Sequence, residues 1–394
     1  ILFTGSTANA SILEHCAVRH GGSHFASAAM DSMIRCESSS PTFNACRVED
    51  SANAGISLID SQTQLTSIHF VNNRAAALYM DTRCFPVFTG ITAEGNGYDA
   101  LLIRGGTILA GGRWDYAEIP YLLDSDITLA AGVTLSIDPG TVVQARDIAT
   151  DFIIQGTLNA AGETGRPIVF TSLKDLPENS WGGILFSGAE ADASILKHCQ
   201  IRYGGSHFAS ATVDSMIRCD TSSPALSDCG ITNSHTNGLS LVNSRANVAG
   251  VRFAANANYA AYMDLQSFPR FTTVSAENNQ HNGILIVNGI MNAGGRWDYA
   301  EIPYLVQDDV VIAPDAMLTI DPGTEIQFTN LAADLRVDGA LWAVGSVSQP
   351  IRFTSLNRKP APGSWGGIYF NSSINNAITR LQHCVVEYGG SNFA

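Results

Sequence analysis

Short runs with apolar residues at alternate positions recur along this chain. Cys46-Arg-Val-Glu-Asp, Ile68-His-Phe-Val-Asn and Ile91-Thr-Ala-Glu-Gly lie 22 and 23 residues apart. Alternation at period two is what a half-buried strand requires. Each run is followed by Asn, Gly or Ser and then by a second strand, such as Gly55-Ile-Ser-Leu, Ala77-Leu-Tyr-Met or Ala100-Leu-Leu-Ile. Cys229-Gly-Ile-Thr-Asn, Val251-Arg-Phe-Ala-Ala and Val274-Ser-Ala-Glu-Asn repeat the rhythm later. No stretch keeps apolar residues at i, i+3, i+4 and i+7 over three turns, so helices are not expected. Strands of four to six residues separated by turns, at a period of 22–23 residues, predict one coil of a solenoid per period. Inward side chains then stack on their equivalents, and Asn at the turns tolerates the left-handed region and bonds the neighbouring coil.

A longer period contains this one. Ala110–Leu122, AGGRWDYAEIPYL, returns unchanged at Ala293–Leu305, 183 positions on. GGSHFAS stands at Gly21 and Gly204, and GGSNFA at Gly389. The chain reads as a first long repeat over 1–183, a second over 184–367 and the start of a third over 368–394, in one continuous solenoid. With 183 residues holding about eight short units, the expectation is about 17 coils of about 23 residues. Ile1, Ile184 and Ile368 are equivalent, so the sequence starts and stops in one phase. That suggests further copies of itself as partners, end to end or in a longer chain.

The second half of each repeat has its own succession of motifs. Ile-Pro-Tyr is followed by DITLAAGVTLSIDPGTVV, GTLNAAG, RPIVFTS, SWGGILF and LKHCQIRYGG, with Asp-Pro-Gly and Ala-Gly turns between strands. In this order they resemble the exported right-handed parallel β-helix repeat proteins of bacterial surfaces, with the pectate-lyase-like fold. The resemblance runs through both copies and implies an all-β, right-handed parallel β-helix. It also implies an extracellular or cell-surface location.

Composition narrows the partners. Charged residues make up only 15% and the net charge is −14 without a Lys/Arg cluster, which argues against nucleic acid. No apolar run is long enough for a membrane span. The eight cysteines follow the period; Cys36–Cys46 and Cys219–Cys229 are candidate disulfides, set against buried thiols stacked as small core residues. No Cys/His spacing suggests a metal site.

The fold family that the resemblance implies also includes polysaccharide lyases, hydrolases and epimerases. Asn-Thr-Asp, Gly-His-Gly and Arg-Ile-Lys, which polygalacturonase-like hydrolases carry, are absent, and Asp138-Pro-Gly and Asp321-Pro-Gly read as turns. The best local candidate is Arg113, Trp114, Asp115 and Glu118, with Arg296, Trp297, Asp298 and Glu301 in the second copy. Asp115 and Glu118 could serve as an acid/base pair beside a Trp that stacks on a sugar. The competing reading is a loop in which Arg113 pairs with Asp115 and the aromatics pack. A second cluster holds His15, Arg19, His20 and His24, matched by His198, Arg202, Tyr203 and His207. Its loss of imidazole at Tyr203 and Asn392 argues against a general base. Trp181 and Trp365 read as corner packing before a glycan platform. Asp124, Asp126, Asp308 and Asp309 are candidate calcium ligands, set against solvated turn carboxylates. No cofactor is expected. The function expected is a structural extracellular segment (adhesin, stalk, sheath or filament) without catalysis. The runner-up is a β-helix protein that binds or cleaves polysaccharide, with surface glycan as its partner.

Overall fold

The computed structural model describes all residues except 24–30, 116–117, 177–179, 207, 209–212, 299–300, 372–377 and 392–394. It is an all-β parallel solenoid of about 14 turns, with about 23 residues per turn. The chain divides into two compact units, residues 1–185 with 193–211, and 186–192 with 212–394. In each unit a turn contributes three strands, and strands pair in parallel with their equivalents a full turn away. Ala54–Ile59, Gln64–Thr66 and His69–Val71 make one such turn, and Ala76–Met80 opens the next. The only antiparallel contact among the described residues is an isolated bridge, Glu163 to Arg166. Among the described residues helix is confined to short 3-10 turns such as Ser6–Ala10 and Ala189–Ala193.

Register is set by burial, since a slip of one residue would turn every apolar side chain outward. In the first unit Ile34, Ile56, Leu78, Leu101, Tyr121, Val143, Phe170 and Ile201 stack as one inward column. Leu13, Phe43, Leu65 and Phe88 form the column of the second face. Val18, Val48, Phe70 and Ala93 form that of the third. The second unit repeats the plan with Ile217, Leu239, Ala261, Ile284, Tyr304, Ile326 and Phe353.

One face departs from simple alternation. The outward residues Ser57, Tyr79, Leu102 and Leu122 are buried as well. Ala54, Ala76, Tyr79, Ala100, Leu102 and Leu122 form an apolar cluster outside the sheet, with Leu173 packed on it. Chain therefore covers part of this face, and Tyr121–Leu123 is buried on both sides.

The corners use the left-handed region. Ala45, Ser67 and Gly90 have φ of 50°, 53° and 66° at one corner, and Asp50, Asn72 and Gly95 have 56°, 54° and 70° at the next. Beside them runs a buried Asn ladder. The Asn73 amide donates to Asn96 Oδ1 at 2.7 Å, and the Ser51 N–H donates to Asn73 Oδ1 at 3.1 Å. Asn256 and Asn279 do the same in the second unit, at 2.8 Å.

The number of turns falls below the 17 expected because some turns are far longer than the basic period. One runs from Leu2 to its partner strand at Ser32, another from Thr157 to Ile195, and a third from Ala340 to Arg380. Of the two readings of the cysteines, the structure has the buried thiols: all eight, Cys36, Cys46, Cys219 and Cys229 included, are free. Cys36 lies on a six-residue strand, Ser32–Glu37, while Cys46 sits at the corner before Arg47–Glu49, on a different face. Burial pushes the Cys36 thiol up to about 12 and those of Cys84 and Cys219 higher still. These are small core residues, inert at neutral pH.

Candidate functional site

The Arg-Trp-Asp motif lies where the ladder of one face stops. In the first unit that ladder ends at Val87–Thr89, which pairs only backward, with Gln64–Thr66. An exposed strand edge leaves backbone donors without partners. Here side chains from the following turn supply the acceptors. Asp115 Oδ2 accepts from the Phe88 N–H at 3.1 Å, and Glu118 accepts from Gly90 and Ile91 at 3.2 and 3.1 Å. In the second unit Glu301 takes the N–H groups of Thr273 and Val274 at 3.3 and 3.4 Å. The proposed acid/base pair is thus a pair of edge caps.

The other members are equally committed. Trp114 is buried, stacked 5.4 Å from Tyr121 and 5.7 Å from Phe152. Trp297 stacks on Tyr304 in the same way, at 5.4 Å. Neither offers a ring face to a sugar. Arg113 does not pair with Asp115 as its main partner; it grips Asp138 with two bonds of 2.7 Å. Arg296 spans Asp298 at 3.2 Å and Asp321 at 2.5 Å. The Asp of each Asp-Pro-Gly turn therefore joins the site from one turn away, a partnership that spacing within the motif does not reveal.

Burial raises the Asp115 carboxyl above the usual carboxylate range, and the nearby Asp138 charge adds to this. The Phe88 N–H opposes them. Asp298 is raised for the same first reason, with Asp321 adding and Arg296 opposing. Raised acids are a feature of catalytic sites. Here the same carboxylates also complete a strand edge, which accounts for their burial.

A groove opens over each site. In the first unit it has a volume of about 460 Å³ and is bounded by Phe85, Pro86, Arg113 and Asp138. In the second it reaches about 730 Å³, with Phe268, Arg270, Arg296 and Asp321. Gly112 and Gly295 make its floor possible. A Cβ at either would fall 2.2 and 1.8 Å from the ring of Phe85 and Phe268. Phe85, Phe268 and Arg270 stand one turn before the repeated motif and Arg245 two turns before it, places that spacing within the motif does not mark.

The remaining candidates resolve into turns and corners. His15 and His198 have φ of 53° and 46°, and His20 and Tyr203 have 60° and 61°. These positions keep a left-handed corner whichever side chain stands there. His20 Nδ1 faces Asp50 at 3.6 Å. His24, His207 and Asn392 lie outside the described residues. Trp181 and Trp365 are buried and donate to the carbonyls of Arg202 and Glu387 at 3.0 and 2.8 Å. Asp124 pairs with Arg146, while Asp126 and Asp309 accept from the Asp151 and Asp334 N–H groups. No group of His, Cys, Asp or Glu among the described residues has metal-site geometry.

No helix among the described residues is long and apolar enough to cross a membrane. No curated protein and no solved structure matches the chain. Residues 113–242 and 297–394, more than half of the sequence, match the family model of the pectate-lyase like beta helix domain, and with the parallel solenoid in place the chain belongs to that family.

Proposed function

We propose that this protein is a non-catalytic β-helix scaffold, a structural segment of an extracellular or cell-surface assembly that associates with further copies of itself. The observation that carries this reading is the employment of Asp115 and Glu118 as backbone acceptors for a strand edge. A general acid has to give up its proton to a leaving group, and a nucleophile or base needs a free lone pair facing the substrate. A carboxylate that closes a ladder serves neither role without opening the edge it protects. The near-identical duplication of the motif, Trp packing included, fits selection for architecture over chemistry.

The test is incubation of the intact protein with a panel of neutral and acidic polysaccharides, reading new reducing ends and unsaturated uronates. The expected result is no product above a protein-free blank. Product formation that disappears in the double variant Asp115→Asn/Asp298→Asn, with the fold retained by circular dichroism, overturns the scaffold reading in favour of a polysaccharide-cleaving enzyme.

A further inference from the structure

The corner before the third face of the first unit carries a column of small and branched apolar side chains. The Arg47 N–H donates to the Cys16 carbonyl at 2.8 Å, the His69 N–H to that of Cys46 at 2.9 Å and the Thr92 N–H to that of Ile68 at 3.0 Å. Cys16, Cys46, Ile68 and Ile91 therefore stand one above another, each just before a strand of that ladder. The steps between them differ in length. Cys46 to Ile68 and Ile68 to Ile91 take 22 and 23 residues, whereas Cys16 to Cys46 takes 30. The cysteines thus mark the two rims of a long turn, and where the period becomes regular the column passes to Ile. In the second repeat Cys199 and Cys229 are again 30 residues apart in sequence, and Val251 and Val274 follow.

A thiol pair so placed meets the demands of a bridge. Register partners on parallel strands lie about 4.8 Å apart, inside the roughly 4.4–6.8 Å that a disulfide spans between its Cα atoms. The two residues interact. Burial raises the Cys46 thiol above its ordinary range, with the Cys16 backbone opposing the rise and the Cys16 thiol adding to it. Cys36, by contrast, is stacked between Phe3 and Leu58, and Cys84 accepts from the Ser61 N–H, so neither has another cysteine as its register neighbour. In the reduced protein Cys16 donates to the Glu14 carbonyl at 3.3 Å, and Cys46 to those of Asn44 and Leu13 at 3.2 and 3.4 Å. Thiols are weak donors, so giving up these bonds costs little.

We propose that Cys16 and Cys46 form a redox-dependent disulfide that clamps the long turn between them to the regular ladder. In exchange with a small-molecule disulfide, the half-buried Cys16, as its thiolate, attacks one sulfur and releases one thiolate, leaving a mixed disulfide. Cys46, its proton passed to water, then attacks the Cys16 sulfur and releases the second thiolate. Two protein thiols are oxidised, and one small disulfide is reduced to two thiols. Closing this loop takes freedom from the unfolded chain, more so for a long turn than for a short one. The bridge involves no substrate and no partner, so it stands or falls separately from the scaffold reading.

The experiment equilibrates the intact chain in glutathione buffers from reduced to oxidised, alkylates the free thiols and maps peptides after digestion with trypsin and glutamyl endopeptidase. Cleavage after Glu14, Arg19, Arg35, Glu37 and Arg47 puts Cys16, Cys36 and Cys46 on three separate peptides. The expected product is peptide 15–19 linked to peptide 38–47, growing with the oxidised fraction and lost on adding dithiothreitol. Oxidation should also slow hydrogen exchange at the Arg47 amide, which donates across the turn, about tenfold or more. Cys16→Ala keeps a small side chain at the corner and should lose both the linked peptide and the slowing. Recovery of both cysteines alkylated or carrying glutathione in the most oxidising buffer would overturn the proposal. So would a bridge from Cys46 to Cys36, a linked pair that forms only after urea is added, or a bridge that leaves exchange at Arg47 unchanged.

Discussion

Single residues are used here mainly to finish backbone hydrogen bonding. Asn73 and Asn256 do so from within the wall, where an unpaired amide would cost about 1–3 kcal/mol. Asp115 does so at an edge, and the price is a carboxyl held above its ordinary range by burial. The sign of the linkage follows. A carboxyl raised on folding contributes stability that is fully present below its unfolded value, about 3.9 for Asp, and that is lost as pH rises through the folded value. Asn at this position keeps an oxygen acceptor for the Phe88 N–H and does not ionise. The urea midpoint of Asp115→Asn should therefore improve relative to the wild type between pH 3 and pH 7. A difference that shrinks over that range would contradict the burial account. Which carboxylates do this work was not legible in the sequence. Arg113 lies two positions from Asp115 and twenty-five from Asp138, yet the winding makes the distant one its bidentate partner. Local spacing favoured the nearer residue because it contains no information on which turn lies beside which.

At the level of strands, the rhythm of alternate apolar positions was readable and the structure follows it, because both faces of a three-residue strand are decided by the same few side chains. Leu65 and Phe88, 23 residues apart, are register partners. What the rhythm could not supply was the length of the irregular turns, since residues looped out between strands leave no periodic trace. Nor did it reveal that Ala54–Ile59 is buried on both sides, since Ser57, in mid-strand, reads as an outward polar position. Register makes a strong demand on deletions. Removing residues 64–86 excises one turn and brings Val87–Thr89 opposite Thr42–Asn44, where Gln64–Thr66 now pairs. This variant should remain β-rich with a cooperative melt. Removing only 64–75 leaves the next strands out of phase and should abolish that melt. If the two deletions behave alike, register is not what holds the turns together.

For the molecule as a whole, each unit is a succession of nearest-neighbour interfaces, and its stability is spread along the winding instead of residing in one centre. Protection from hydrogen exchange should follow. Amides of Ile56 and Leu78, with paired turns on both sides, should exchange far more slowly than those of Thr92–Glu94, which ends its ladder and pairs on one side only. Uniform protection along the first unit would indicate all-or-none opening instead. The short offset between paired residues has one more consequence, for synthesis. Partners such as Ile34, Ile56 and Leu78 are only 22 positions apart, so the entropy of closing each new loop is nearly the same however much chain has gone before. A nascent polypeptide emerging from the ribosome can wind onto what is already folded, and its assembly time should grow in proportion to its length.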